Sequence, residues 1–138
     1  MMNEPVSSIM TSDLITLSPN DTLDKVSKIF RERRIHHLPV VEGQKLVGLI
    51  TTYDLFKMGK AASEYTNIKV SEVMTTKLAK LEPSSKVGTA AEIFLENLFH
   101  ALPIVEGEKL VGIVTTFDVL RYEFRKEYPS HELGLPPR

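Results

Sequence analysis

Leu38-Pro39-Val40-Val41-Glu42-Gly43-Gln44-Lys45-Leu46-Val47-Gly48-Leu49-Ile50-Thr51-Thr52-Tyr53-Asp54 returns later in the chain as Leu102-Pro103-Ile104-Val105-Glu106-Gly107-Glu108-Lys109-Leu110-Val111-Gly112-Ile113-Val114-Thr115-Thr116-Phe117-Asp118. Working outward, the same offset carries Val6-Ser7-Ser8-Ile9-Met10-Thr11 onto Val70-Ser71-Glu72-Val73-Met74-Thr75, Pro19 onto Pro83 and Ile29-Phe30 onto Ile93-Phe94. A gap-free match of this length, with mostly apolar-for-apolar differences, marks a duplicated unit.

Two apolar runs around the turn Glu42-Gly43-Gln44 read as a β-hairpin, and Thr51-Thr52 opens a helix through Phe56. Upstream, Leu14-Ile15-Thr16-Leu17 reads as a short strand ended by Ser18-Pro19-Asn20-Asp21, with Asn20 or Asp21 placed to cap the next helix. That helix carries Leu23, Val26, Ile29 and Phe30 on one side, and its copy carries Val87, Ala90, Ala91, Phe94 and Leu98. Strand, helix, strand, strand, helix, twice over, is an α+β plan with helices against small sheets.

The boundaries expected are 1–60 for the first repeat, 61–69 for a linker, 70–127 for the second repeat and 128–138 for a flexible tail holding Pro129, Gly134, Pro136 and Pro137. A unit of about 60 residues buries only about 60% of its unfolded surface, so each half alone is marginal. The halves are therefore expected to share an interface, packed with pseudo-twofold symmetry into one module.

The 138 residues hold 17 basic against 18 acidic side chains, for a net charge of −1, and no cysteine. The charge balance lacks the positive field that phosphate-backbone binding requires, which argues against nucleic acid as a partner. Without cysteine there are no disulfides, thiolate nucleophiles or cysteine zinc sites. No apolar run reaches the roughly 20 residues of a membrane span and the first residues lack a secretory profile, so a cytoplasmic location is expected and no membrane partner.

Thr51-x-x-Asp54 and Thr115-x-x-Asp118 have two readings. One is a capping box, in which Thr accepts from the third helical N–H and the acidic residue returns a bond to the cap. The other is a ligand site, in which the helix start and the Thr hydroxyl face a phosphate and the carboxylate takes two ribose hydroxyls. Gly48 and Gly112, just before, are places where a ligand could approach the backbone.

The duplicated sequence resembles the CBS-domain family, named after cystathionine β-synthase, over essentially residues 6 to 122. The opening Val-Ser-Ser-Ile-Met-Thr, His36-His37-Leu38-Pro39-Val40-Val41 and Gly48-Leu49-Ile50-Thr51-Thr52-Tyr53-Asp54 carry it, together with His100-Ala101-Leu102-Pro103-Ile104-Val105 and Gly112 to Asp118 in the second copy. The resemblance implies two βαββα repeats forming one module with two clefts, and modules that associate as homodimers, parallel or antiparallel. It implies a regulatory rather than catalytic role: sensing AMP, ADP, ATP or S-adenosyl compounds, with or without Mg²⁺, and acting on an enzyme or transporter.

By the same resemblance, Thr51, Asp54, Thr115 and Asp118 bind ligand, with Ile15, Ile35 and Ile113 walling one adenine slot and Ala79, Phe99 and Leu49 the other. Some adenosine-nucleotide-binding relatives carry His followed by Arg after the helix, both reaching phosphate. Here His36 matches and His37 replaces the Arg, whereas His100 matches and Ala101 lacks the second donor. The two clefts are therefore expected to differ in affinity or preferred ligand. Two rival classes stand beside this one. The first is an oligomerisation module with degenerate ligand sites. The second is a metal-dependent hydrolase using His36, His37 and Asp54, disfavoured because adjacent histidines diverge and no repeated metal-ligand spacing occurs.

Overall fold

A computed structural model describes residues 2–97 and 99–129. The chain forms two contact units, one made by Ile15–Leu78 and the other by the segment up to Leu14 together with the segment from Ala79. These limits are offset from the sequence repeats. Each unit joins the body of one repeat to the opening hexapeptide of the other.

In the unit Ile15–Leu78, α1 (Leu23–Glu32) is followed by the hairpin of β1 (His37–Glu42) and β2 (Lys45–Thr51), then by α2 (Thr52–Met58). The two strands are antiparallel, with Glu42 paired to Lys45 across the turn. Gly43 there takes φ 63°, the left-handed backbone that tight hairpin turns need and that glycine adopts without steric cost. Gly59, at φ 69°, ends α2 in the same way. The core is Leu17, Leu23, Val26, Leu38, Val40, Ile50 and Val70. The stretch expected as a linker forms a 3-10 turn over Ala62–Asn67, and its Tyr65, with neighbouring Ile68, packs against that core.

The second unit repeats the plan with α3 (Val87–Asn97), β3 (Ala101–Glu106), β4 (Lys109–Thr115) and α4 (Thr116–Glu127). Its core is Val6, Ala90, Phe94, Leu102, Ile104 and Val114. The α+β architecture of two repeats is thus present, and the last helix ends at Glu127. Leu98 and the tail from 130 onward lie outside the described residues.

Two local expectations are corrected. The strand over Leu14–Leu17 is a single parallel bridge from Leu17 to Val40, mirrored by Leu81 to Ile104. The chain turns away at once, because Ser18 N–H donates to the Asp21 carboxylate at 2.8 Å and Asp21 N–H to the Ser18 carbonyl at 3.0 Å. With Asp21 committed to this turn, neither it nor Asn20 caps α1. The cap position is Thr22, whose hydroxyl bonds to Asp24.

The opening hexapeptides are held by equivalent bonds in the two units. Val70 N–H donates to Asp21 O at 2.8 Å and Ser71 N–H to Pro19 O at 3.0 Å; Val6 N–H donates to Ser85 O at 2.7 Å and Ser7 N–H to Pro83 O at 3.1 Å. Leu49 and Thr75 exchange backbone bonds at 3.0 and 2.9 Å, as Thr11 and Ile113 do at 2.9 Å.

This packing also explains the two glycines before the Thr-x-x-Asp motifs. A Cβ on Gly48 would lie 2.5 Å from the Met74 sulfur and 3.2 Å from the Thr75 carbonyl oxygen; one on Gly112 would lie 2.4 Å from the Met10 sulfur. The space expected for a ligand is filled by the methionine of the opening motif, so these glycines serve close packing. Gly48→Ala is expected to cost about 1–3 kcal/mol by overpacking. Gly112→Ala should cost less, because its near neighbours are all flexible Met10 side-chain atoms. Urea denaturation of both variants checks the order, and equal costs would contradict it.

Candidate functional site: two capped helix starts

Both Thr-x-x-Asp motifs sit where a β-strand passes directly into a helix, and both form complete capping boxes. Thr51 Oγ1 accepts from Asp54 N–H at 3.1 Å, while Asp54 Oδ2 accepts from Thr51 N–H at 2.8 Å. In the copy, Asp118 N–H donates to Thr115 Oγ1 at 3.1 Å and Thr115 N–H to Asp118 Oδ2 at 2.9 Å. The capping reading of the motif is therefore realised twice.

The histidines meet these helix starts through their backbones. The His36 carbonyl accepts from Thr52 N–H at 3.0 Å and the His100 carbonyl from Thr116 N–H at 3.1 Å. At α2 this leaves the Tyr53 N–H as the amide of the first turn without a partner among the described residues, so fewer donors face a phosphate than a bare helix start would offer. The His36 and His100 side chains are exposed, and that of His37 is half-buried.

The carboxylates differ in what remains open. Asp54 uses Oδ2 for the cap, and Oδ1 has no hydrogen-bond partner among the described residues. It lines a groove of about 420 Å³ with Lys57, Met58, Lys60, Ile68 and Glu72. Asp118 is 1% exposed, against 8% for Asp54. Its Oδ2 also accepts from the Thr115 hydroxyl at 3.0 Å, and its Oδ1 accepts from Arg121 at 3.2 Å. Arg121, not Asp118, faces the equivalent groove of about 440 Å³, with Ser8, Ile9, Met10 and Arg125. Nearby, the Tyr122 hydroxyl donates to Glu4 and holds that exposed carboxyl below its ordinary range.

Of the apolar residues expected to wall adenine slots, Ile15 and Ile35 pack half-buried on the core of the unit Ile15–Leu78, where Leu49 is also half-buried. Ile113, 5% exposed, belongs to the other unit, as do half-buried Ala79 and exposed Phe99, at 43%. Among the described residues no three His, Asp or Glu side chains gather to hold a metal, so His36, His37 and Asp54 do not form the cluster that the hydrolase reading needs. No helix among them is long and apolar enough to cross a membrane. Arg121 and Lys57 escaped the sequence reading. Their only signal was that position 57 and its copy at 121 are not identical.

The CBS domain family model matches residues 6–60 and 70–125. An uncharacterised protein of Methanocaldococcus jannaschii, MJ0188, is 33% identical over 94% of the chain, and the chain spans about half of that protein, 48%. Among solved structures, CBSX2 in complex with AMP is 28% identical, with a TM-score of 0.80 over 90% of this chain and 98% of that one. The CBS domain pair of protein MJ0100, in complex with 5′-methylthioadenosine and S-adenosyl-L-methionine, is 29% identical, with a TM-score of 0.76 over 88% of this chain and 97% of that one. With both repeats matched by the family model and a helix, strand, strand, helix order seen twice in the fold, the chain belongs to the CBS-domain family.

Proposed function

We propose that the chain is a cytoplasmic ligand-sensing module that binds an adenosine nucleotide or S-adenosyl compound at its Thr-x-x-Asp motifs and performs no covalent chemistry. The observation that carries this is Asp54. Its carboxylate is anchored by the helix cap through one oxygen, leaves the other without a partner and lines a groove. An ionised carboxylate so held is a fixed acceptor for two vicinal hydroxyls. The ligands of CBSX2 and of the MJ0100 pair, AMP, 5′-methylthioadenosine and S-adenosyl-L-methionine, all carry such a ribose diol. Ile15, Ile35 and Ile113, with Ala79, Phe99 and Leu49, are the proposed adenine contacts, and His36, His37 and His100 the proposed phosphate contacts.

Binding to the folded state alone raises its melting temperature. A thermal-shift panel of AMP, ADP, ATP, S-adenosylmethionine and 5′-methylthioadenosine, with and without Mg²⁺, should show at least one stabilising ligand, and Asp54→Asn should reduce that shift. A flat panel would leave the oligomerisation module as the better reading.

The regulated partner is proposed to be an enzyme or transporter, reached through a homodimer. Tyr53 and Phe56 on α2 are 63% and 82% exposed, and Leu120, the copy of Phe56 on α4, is 67% exposed. Large apolar side chains left open at matching positions suit an interface. Sedimentation equilibrium should report a dimer, and Phe56→Glu should shift it toward monomer; a monomeric wild type would contradict this element.

A further inference from the structure

We propose that Arg121 sets the two ligand-binding carboxylates apart: it occupies Asp118 in the free protein and lowers nucleotide affinity there, leaving Asp54 the stronger acceptor. This rests on reading Asp54 and Asp118 as ribose-diol acceptors.

A carboxylate offers about four lone-pair positions for donors. On Asp118 three are taken, by Thr115 N–H, the Thr115 hydroxyl and the Arg121 Nη2–H. Two ribose hydroxyls cannot both be received until the guanidinium leaves. On Asp54 the Thr51 N–H takes one, and the rest are open. The copies share the motif, the capping box and a strand leading in, and beyond Arg121 they differ in the Thr115 hydroxyl bond to Asp118.

The guanidinium's share of the difference traces to one pair of residues. Arg121 lies 5.4 Å from the Phe117 ring centroid and reaches the carboxylate from there, because a planar guanidinium can stack on an aromatic face and still donate along its edge. Lys57, at the matching position, holds its ammonium 5.5 Å from the Tyr53 ring centroid and makes no ion pair with Asp54. A point-like ammonium resting on the ring has no second edge to offer. The Asp118 side chain is wholly buried while that of Arg121 is 23% exposed, so the latch has a route by which to swing out. This asymmetry acts on the sugar and is separate from the missing phosphate donor at Ala101.

Isothermal titration of the full chain with AMP tests it. Arg121→Met keeps the stem over Phe117 and removes every donor, and Arg121→Ala is the second variant; each should tighten the weaker site about threefold to tenfold, the scale of a partly exposed ion pair, or bring a second binding phase into view. Lys57→Arg should weaken the tighter site by a similar factor. Asp54→Asn reports on the underlying reading. If it weakens binding while both Arg121 variants leave both sites unchanged, the latch is overturned and the ribose reading stands. If it leaves AMP binding intact, the ribose reading fails and the latch with it.

Discussion

A fragment ending at Lys60 will not fold by itself, although it contains a whole sequence repeat. Its core in the full chain includes Val70, which is fully buried, and has Ile68, Val73 and Met74 packed against it. All four lie beyond the cut. Each fully buried side chain of this kind contributes about 1.5–3 kcal/mol, so losing one complete and three partial burials removes on the order of 5 kcal/mol or more. A whole domain is stable by only about 5–15 kcal/mol. The fragment also loses the acceptor at Ile68 O for Leu23 N–H and both backbone bonds between Leu49 and Thr75. Circular dichroism and amide dispersion in NMR should show an unfolded chain for 1–60 and a folded one for the full sequence. A cooperatively unfolding 1–60 fragment would contradict the exchange of opening segments.

Asp118→Ala should destabilise the protein by about 2–4 kcal/mol, clearly more than Asp54→Ala. The substitution strips the acceptor from the Thr115 N–H, and Thr115 is 2% exposed, so water cannot readily replace it. An orphaned buried donor costs about 1–3 kcal/mol and a lost cap about 1 more. Thr51 is half-buried, and there solvent can take over the bond, leaving a cost of about 0.5–1.5 kcal/mol for Asp54→Ala. Chemical denaturation of the two variants measures the difference. A smaller loss at Asp118 than at Asp54 would show that the buried box is satisfied some other way.

What could be read in the sequence was local. The hairpin follows from two apolar runs around Gly43, and the helix starts follow from Thr51-x-x-Asp54, because a cap and a tight turn are decided within a few residues. Asn20 and Asp21 misled at the same range, since a Ser-Pro-Asn-Asp run can serve either a cap or a turn and Ser18 settled it in favour of the turn. The destinations of Val6 and Val70 could not be read. Their repeats match at a constant offset whether each opening segment packs on its own repeat or on the other one. For the same reason Gly48 and Gly112 suggested room for a ligand until Met74 and Met10 were found beside them. At the candidate site the motif pointed to two carboxylates that the fold places in matching capping boxes. Which of them is engaged depends on where Lys57 and Arg121 point, which repeat periodicity does not encode.

Titration of AMP against its 2′,3′-dideoxy analogue probes the proposed grip of Asp54 on a ribose diol more directly than any substitution, because the protein is left untouched. The analogue should bind at least about tenfold more weakly, the loss of roughly 1.4 kcal/mol or more when a charged acceptor is left without its hydroxyls. Equal affinity for the two nucleotides would contradict the assignment.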